Sequence, residues 1–110
     1  MIFDKDGNTT IVFQENISLA KFLENLNASY PKISNDHIIV NLFSFTKLTA
    51  NDALEFLQLS NRHRSAKKSF VLVTDKVTYD KVPEEICLVP TIQEARDIIE
   101  MEEIERDLEL

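Results

Sequence analysis

Two uninterrupted apolar segments constrain the fold of this chain more than any other feature. Residues 37–43 read His-Ile-Ile-Val-Asn-Leu-Phe, and residues 70–74 read Phe-Val-Leu-Val-Thr. Short segments that are apolar at successive positions, rather than at alternate ones, are typical of strands that are covered on both faces. Such strands occur in mainly parallel sheets packed between helices. The sequence therefore predicts a layered α/β domain with these two strands at its centre.

The remaining strands are expected at both ends of the chain. Residues 1–5 and 9–14 predict a hairpin around Gly7, the only glycine, at positive φ. Residues 86–89 predict a short final strand, and residues 75–85 predict a polar loop with one short helical turn. We expect a mixed, mostly parallel sheet of four or five strands.

Three longer segments have helical patterns. The first follows a cap at Asn16 or Ser18 and is expected to end before Pro31. The second is expected over residues 50–68, and the third begins after Thr91, which together with Glu94 has the spacing of a capping box. The predicted order is ββαβαβ(α)βα, with three or four helices.

The charge of the chain is concentrated at its C-terminal end. The 110 residues carry a formal net charge of −7, and residues 94–110 contain eight acids against two bases. A negative chain repels phosphate groups, so nucleic acid and anionic membrane surfaces are disfavoured as partners. We expect residues 1–100 to form one domain and residues 101–110 to be an acidic helical extension of it.

The residues that usually carry catalysis are scarce. His37, His63 and Cys87 have no spacing typical of a metal site, and one glycine is too few for a phosphate-binding loop. We expect both histidines at the surface and Cys87 as a small buried hydrophobic residue. No signal peptide and no long apolar segment is evident. The sequence therefore predicts a cytoplasmic protein that is not an enzyme and binds no metal or cofactor.

The centre of the chain carries a more specific pattern. The apolar residues 38–42 end in Asn-Leu, residues 43–48 form a short loop, and residues 49–54 begin a helix. This pattern, with the element order, resembles the STAS domain, the fold of bacterial anti-sigma-factor antagonists. The resemblance implies a protein-binding function, in which an antagonist docks on an anti-sigma kinase and releases the sigma factor. Phosphorylation of the family's Ser or Thr prevents docking, because a dianion adds repulsion and a desolvation cost.

The regulatory motif of that family falls at the start of the second helix. Thr49 takes the place of the family's aspartate, Ala50 that of the phosphoacceptor, Asn51 that of the next serine and Asp52 that of the glycine. Ala50 has no hydroxyl, so phosphorylation control is expected to be lost. Thr49 is expected to act as a helix cap.

The second helix is one expected binding surface. Phe56 and Leu59 point away from the face that carries Ala53, Leu54 and Leu57, and one sheet face cannot cover all five, so part of this apolar set should be exposed. Alternatively, the loop at residues 75–85 folds over them. The resemblance places this helix at the partner interface.

The closing helix is the other expected binding surface. Met101, Ile104 and Leu108 follow one another at steps of three and four, which predicts a narrow apolar seam among acidic residues. Such a seam suits docking in a groove or dimer formation. The alternative is a frayed, solvated terminus.

These observations favour a non-enzymatic STAS-like interaction module. Its expected partner is a regulatory, anti-sigma-like protein or a second copy of the chain as a homodimer. One alternative is an accessory subunit that docks on an enzyme through its acidic C-terminal helix. Another is a STAS-like domain that binds a small ligand. The expected partner-binding residues are Thr49, Ala50, Asn51, Asp52, Phe56, Leu59, Met101, Ile104 and Leu108.

Overall fold

A computed structural model describes residues 1–109, which form a five-stranded sheet with helices on both faces. The strands are β1 (Ile2–Asp6), β2 (Thr9–Phe13), β3 (His37–Asn41), β4 (Phe70–Val73) and β5 (Cys87–Val89). The helices are α1 (Leu19–Ile33), α2 (Ala50–Leu54), α3 (Leu57–Ser65) and α4 (Ile92–Leu108), with a 3-10 turn at Tyr79–Lys81. The predicted α/β class and mixed sheet are confirmed.

The strands lie side by side in the order in which they occur along the chain. β1 pairs with β2 in antiparallel fashion, and every later pair is parallel. When successive right-handed crossovers each add the next strand on the same side of the previous one, their helices all lie on one face of the sheet. This explains why α1, α2 and α3 cover one face, whereas α4, which follows the last strand, covers the other.

The core has two layers, one on each side of the sheet. On the first face, side chains of α1 and of the α2–α3 region pack on β3 and β4, with Phe22, Phe56 and Phe70 buried at the centre. On the second face, Ala95 and Ile99 of α4 pack on alternate residues of the same strands. All four residues of β4 are buried, as expected for a strand that is covered on both faces.

Several local predictions are confirmed. Gly7 has a φ of 62° in the turn between β1 and β2, in the left-handed region where a residue without Cβ is least strained. The hydroxyl of Ser18 accepts a hydrogen bond from the N–H of Lys21 and caps α1. The hydroxyl of Thr91 accepts from the N–H of Glu94 in the same way at α4.

Two helix boundaries differ from the prediction. Pro31 does not end α1, which continues to Ile33; the proline removes one helical hydrogen bond, to the carbonyl four residues before it, and only two residues of the helix follow it. The single helix expected over residues 50–68 is two helices, with Glu55 and Phe56 between them. The buried residues nevertheless keep helical spacing across this point, since Ala53, Phe56, Ser60 and His63 follow one another at steps of three and four.

The acidic end of the chain belongs to the domain. α4 runs without interruption across residue 100, so the expected change from domain to extension does not coincide with any structural boundary. Glu102 contacts Arg64 and Arg106, and its Oε1 accepts a hydrogen bond of 2.6 Å from the Ser69 hydroxyl. These contacts hold the later turns of α4 against the segment before β4.

Candidate protein-binding surfaces

The loop between β3 and α2 is anchored to the sheet by side chains. The Asn41 Oδ1 accepts a hydrogen bond of 3.0 Å from the N–H of Phe43. The hydroxyl of Ser44 donates a hydrogen bond of 2.8 Å to the carbonyl oxygen of Gln14. Phe43 is nevertheless 42% exposed. The loop therefore presents an aromatic side chain from an anchored backbone.

Thr49 and Asp52 form a reciprocal cap at the start of α2. The Thr49 Oγ1 accepts a hydrogen bond of 3.2 Å from the N–H of Asp52, and the Asp52 Oδ2 accepts one of 2.9 Å from the N–H of Thr49. The predicted capping role of Thr49 is confirmed. Thr49 and Asn51 are exposed, while Ala50 and Asp52 are half-buried. The expected partner-binding residues of this motif therefore lie together at the surface.

Phe56 and Leu59 are not at the surface, and the prediction of their exposure is wrong. Both are buried, and the ring of Phe56 lies 6.3 Å from that of Phe22 in an edge-to-face arrangement. The buried residues Ala53, Phe56, Ser60 and His63 recur at steps of three and four, so the side that faces the core is centred near Phe56 and not on Leu54 and Leu57. Leu54, one turn from the start of α2, is 40% exposed instead. Leu54 replaces Phe56 and Leu59 as the apolar contact that this region offers.

The seam expected on α4 is exposed. Met101, Ile104 and Leu108 are 59%, 54% and 82% exposed. The opposite side of the same turns is fixed by polar contacts, since Arg106 donates a hydrogen bond of 3.1 Å to the Ser69 hydroxyl. The seam therefore lies on an ordered helix and not on a frayed end.

His63 is fully buried, contrary to the surface position expected from the sequence. Its Nε2 lies 2.7 Å from the carbonyl oxygen of Asp36, and its Nδ1 lies 2.7 Å from the hydroxyl of Tyr30. A carbonyl oxygen only accepts, so Nε2 carries the proton and Nδ1 accepts from Tyr30. Burial lowers the pKa of His63, which keeps the ring neutral and makes it a brace between α1, α3 and β3.

His37 is buried in a similar way at the start of β3. Its Nδ1 accepts a hydrogen bond of 2.9 Å from the N–H of Ser69, and its Nε2 lies 2.9 Å from the Oε1 of Glu103. Burial is the largest cause that lowers the pKa of His37, and with the nearby charges of Arg106 and Lys68 it outweighs the opposite effect of Glu103. The sequence contained a signal for this position, because His37 opens the apolar segment that was predicted to be covered on both faces.

The thiol of Cys87 is unreactive in the folded chain. Burial, with a smaller contribution from Glu102, raises its pKa to about 11. The nucleophile of a cysteine is the thiolate, which is scarce at neutral pH with such a pKa. The side chain is half-buried rather than fully buried as expected, and it packs against the apolar cluster that includes Val71, Ala95 and Ile99 on the α4 face.

Residues 1–109 form neither a metal-binding cluster nor a membrane-spanning helix. Within that range no cluster of three or more His, Cys, Asp or Glu side chains could hold a metal ion. No helix among those residues is both long enough and apolar enough to span a bilayer.

The sequence matches no protein-family model and no curated protein. The function is therefore argued from the geometry of this chain.

Proposed function

We propose that this chain is a non-enzymatic, STAS-like interaction module that binds a regulatory protein partner in the cytosol. The binding surface is the loop between β3 and α2 together with the first turn of α2. The observation that supports it most strongly is the exposure of Phe43 and Leu54, two large apolar side chains that flank the capped helix start. We name this set the α2 surface: Phe43, Thr49, Ala50, Asn51 and Leu54.

The α2 surface is suited to binding because its backbone is already ordered. The hydrogen bonds of Asn41 and Ser44 fix the loop, and the reciprocal cap of Thr49 and Asp52 fixes the helix start. A preorganised surface loses little conformational entropy when a partner docks, so more of the contact energy appears as affinity. Aromatic side chains such as that of Phe43 are enriched in protein interfaces.

Binding in this proposal is not controlled by phosphorylation at position 50. Ala50 stands where the resembled family has its phosphoacceptor, and it is half-buried in the first turn of α2. The hydroxyl of the neighbouring Thr49 is engaged with the N–H of Asp52. The partner therefore meets a surface that carries no switchable charge at this point, and the module binds constitutively.

The test requires a purified partner that can be mixed with the wild-type chain and with its variants. The wild-type chain is used to capture a partner from native extract, and the purified pair is measured by calorimetry. Leu54→Asp is expected to weaken binding by more than about tenfold, because it places a charge in a desolvated contact. Leu108→Asp is the matched control, since it makes the same change on an exposed leucine of α4. Equal effects of the two variants would refute the α2 surface.

A second pair of variants tests the role of charge at position 50. Ala50→Glu mimics an added negative charge and is expected to weaken binding, whereas the neutral Ala50→Gln of the same size is expected to bind nearly as well. Neither change should reduce the stability of α2, because an acid in the first turn of a helix interacts favourably with the helix dipole. Equal weakening by both variants would indicate a steric effect and contradict the charge argument.

The α4 seam supports a second candidate, an accessory subunit that docks on an enzyme. Ile104 and Leu108 are exposed on an ordered helix whose other side is held by Glu102 and Arg106. An apolar seam on a helix fits the groove of a partner. In the experiment above, a loss of binding for Leu108→Asp with none for Leu54→Asp would favour this candidate.

A further inference from the structure

A groove runs along the free edge of β5, on the opposite side from its pairing with β4. It has a volume of about 790 Å³ and lies between α4 and the segment that contains the 3-10 turn. A second cavity of about 440 Å³ adjoins it towards the C-terminal end of the strand, and both cavities are lined by Tyr79, Leu88 and Val89. The recess therefore follows the whole length of β5, which suits an extended occupant better than a compact one.

Backbone groups of β5 are directed into this recess. The carbonyl oxygen of Val89 accepts a hydrogen bond of 3.1 Å from the N–H of Thr74, and Val73 is paired with Val89 in register. The N–H and C=O of one strand residue point to the same side, and those of the next residue point to the other. Val89 and Cys87 therefore bond to β4, and the N–H and C=O of Leu88 face the groove.

The Leu88 backbone groups have no partner from another segment. Among residues 1–109, no backbone hydrogen bond outside the β4–β5 ladder uses the N–H or the C=O of Leu88. An unpaired strand edge is a template for the backbone of another chain, because each free donor and acceptor gains a bond when a strand is added. A side-by-side strand is thus the occupant that the backbone of this groove fits.

The walls of the groove are apolar and the rim is acidic. Met101 of α4 forms one wall, and Tyr79, which is 76% exposed, belongs to the other. Four carboxylates also line it, those of Asp80, Glu84, Glu102 and Glu105, against one basic side chain, Arg64. Arg64 is paired with Glu102, so the rim is negatively charged.

We propose that the edge of β5 binds an extended segment of another protein, with apolar side chains at alternate positions and basic residues at its ends. The segment adds a sixth strand to the sheet, its backbone bonds to Leu88, and its apolar side chains lie against Met101 and Tyr79. β5 has three residues and spans ~10 Å at ~3.3 Å per residue, so about three residues of the segment lie beside it. The basic ends are attracted by Glu84 and Glu105.

A second copy of the chain is a poor occupant of this groove. The chain has a net charge of −7, so its surface repels an acidic rim. The other free edge of the sheet, β1, carries Asp4, Lys5 and Asp6, and charges of this kind protect edge strands against pairing. The proposal also does not depend on the proposed function, because the α2 surface is formed by other residues.

The first experiment selects binding peptides from a random decapeptide library displayed on phage. We expect enrichment of sequences that alternate apolar and polar residues between basic ends. Amide signals of Leu88 and Met101 should shift when an enriched peptide is titrated into the full chain in an NMR experiment. Enrichment of amphipathic helical sequences, shifts confined to α2, or no enrichment would each overturn the proposal. So would concentration-dependent self-association that is abolished by Met101→Glu.

The second experiment removes one backbone donor and leaves every side chain in place. Cys87 allows residues 1–86 to be ligated to a synthetic segment 87–110, which can contain an ester in place of the amide N–H of Leu88. We expect this chain to bind the selected peptide about fivefold more weakly than the all-amide ligated chain, the loss expected for one hydrogen bond. The ester also weakens the carbonyl oxygen of Cys87 as an acceptor from β4, so a small decrease in melting temperature is expected. An ester at Val89 removes an N–H that faces β4 and should lower the melting temperature more. Unchanged affinity of the Leu88 ester would refute strand addition.

A third measurement addresses the charged rim. The double change Glu84→Gln and Glu105→Gln is expected to weaken peptide binding severalfold at low salt and to reduce its salt dependence. Glu55→Gln is the control, because Glu55 is an exposed acid that does not line the groove. If the control weakens binding as much as the double variant does, only the overall charge acts, and the rim has no specific role.

Discussion

Replacing Tyr30 by phenylalanine tests the internal brace formed by His63. The hydroxyl of Tyr30 donates the hydrogen bond of 2.7 Å that satisfies the Nδ1 of His63, and both residues are buried. The substitution removes the hydroxyl and keeps the ring. The ring contacts, with His63 at 5.4 Å between centroids and with the Arg62 guanidinium at 4.8 Å, remain possible. The variant therefore isolates one buried hydrogen bond.

The expected loss of stability arises because the buried Nδ1 of His63 no longer has a hydrogen-bond donor. Leaving a buried acceptor without its donor costs about 1–3 kcal/mol, against a total stability of about 5–15 kcal/mol for a domain. For a domain of this size each kcal/mol lowers the melting temperature by about 4 °C, so Tyr30→Phe should melt about 4–12 °C lower than the wild type. The Nε2 of His63 remains bonded to the carbonyl of Asp36, so the fold itself is expected to persist.

The measurement is urea unfolding followed by circular dichroism at about pH 7.5, where His63 is neutral. Tyr79→Phe is the matched control, because it removes the same hydroxyl from an exposed side chain. If Tyr30→Phe and Tyr79→Phe differ in free energy of unfolding by less than about 0.3 kcal/mol, the bond between Tyr30 and His63 does not brace the core, and the argument fails.

Two further predictions concern pH and capping. Burial lowers the pKa of His63 and of His37 below the value of 6.5 in the unfolded chain. Below that pH the unfolded state therefore binds more protons than the folded state, so the free energy of unfolding should be largest above pH 6.5 and fall as the pH decreases. The measurement is urea unfolding at about pH 7.5 and at about pH 5.5. Equal free energies of unfolding at the two pH values would contradict the prediction. Thr49→Ala should cost about 1 kcal/mol because the N–H of Asp52 loses its acceptor, whereas Thr49→Ser should be nearly neutral in the same assay. Equal stability of the alanine and serine variants would argue against the cap.

The sequence predicted those features that depend on neighbouring residues. The hairpin at Gly7 follows from a backbone conformation that glycine adopts readily, and the caps at Ser18 and Thr49 follow from hydroxyls that bond to an N–H three residues later. The exposure of Met101, Ile104 and Leu108 followed from a drift in helical spacing within one uninterrupted helix. Each of these features depends on the geometry of a few neighbouring residues, which the spacing of residues in the sequence predicts.

The binding surfaces were predicted less well, because their composition depends on residues far apart in the chain. Leu54 replaced Phe56 and Leu59 because the side of α2 and α3 that faces the core carries Phe56, whose ring packs on Phe22 of α1. The groove at β5 brings together the strand, the 3-10 turn and α4, which are separated in sequence. No local pattern indicates that these elements share an edge.

The sequence by itself determined the layered α/β class, the two central strands and the starts of three helices. Buried strands and hydroxyl caps depend on residues that are close together in the sequence, so the sequence pattern is sufficient to predict them. Only the tertiary structure decided that His37 and His63 are buried braces. Their partners, Ser69 and Tyr30, lie 32 and 33 residues away along the chain. A polar side chain can enter a core only where a distant donor or acceptor meets it, and folding alone brings the two together.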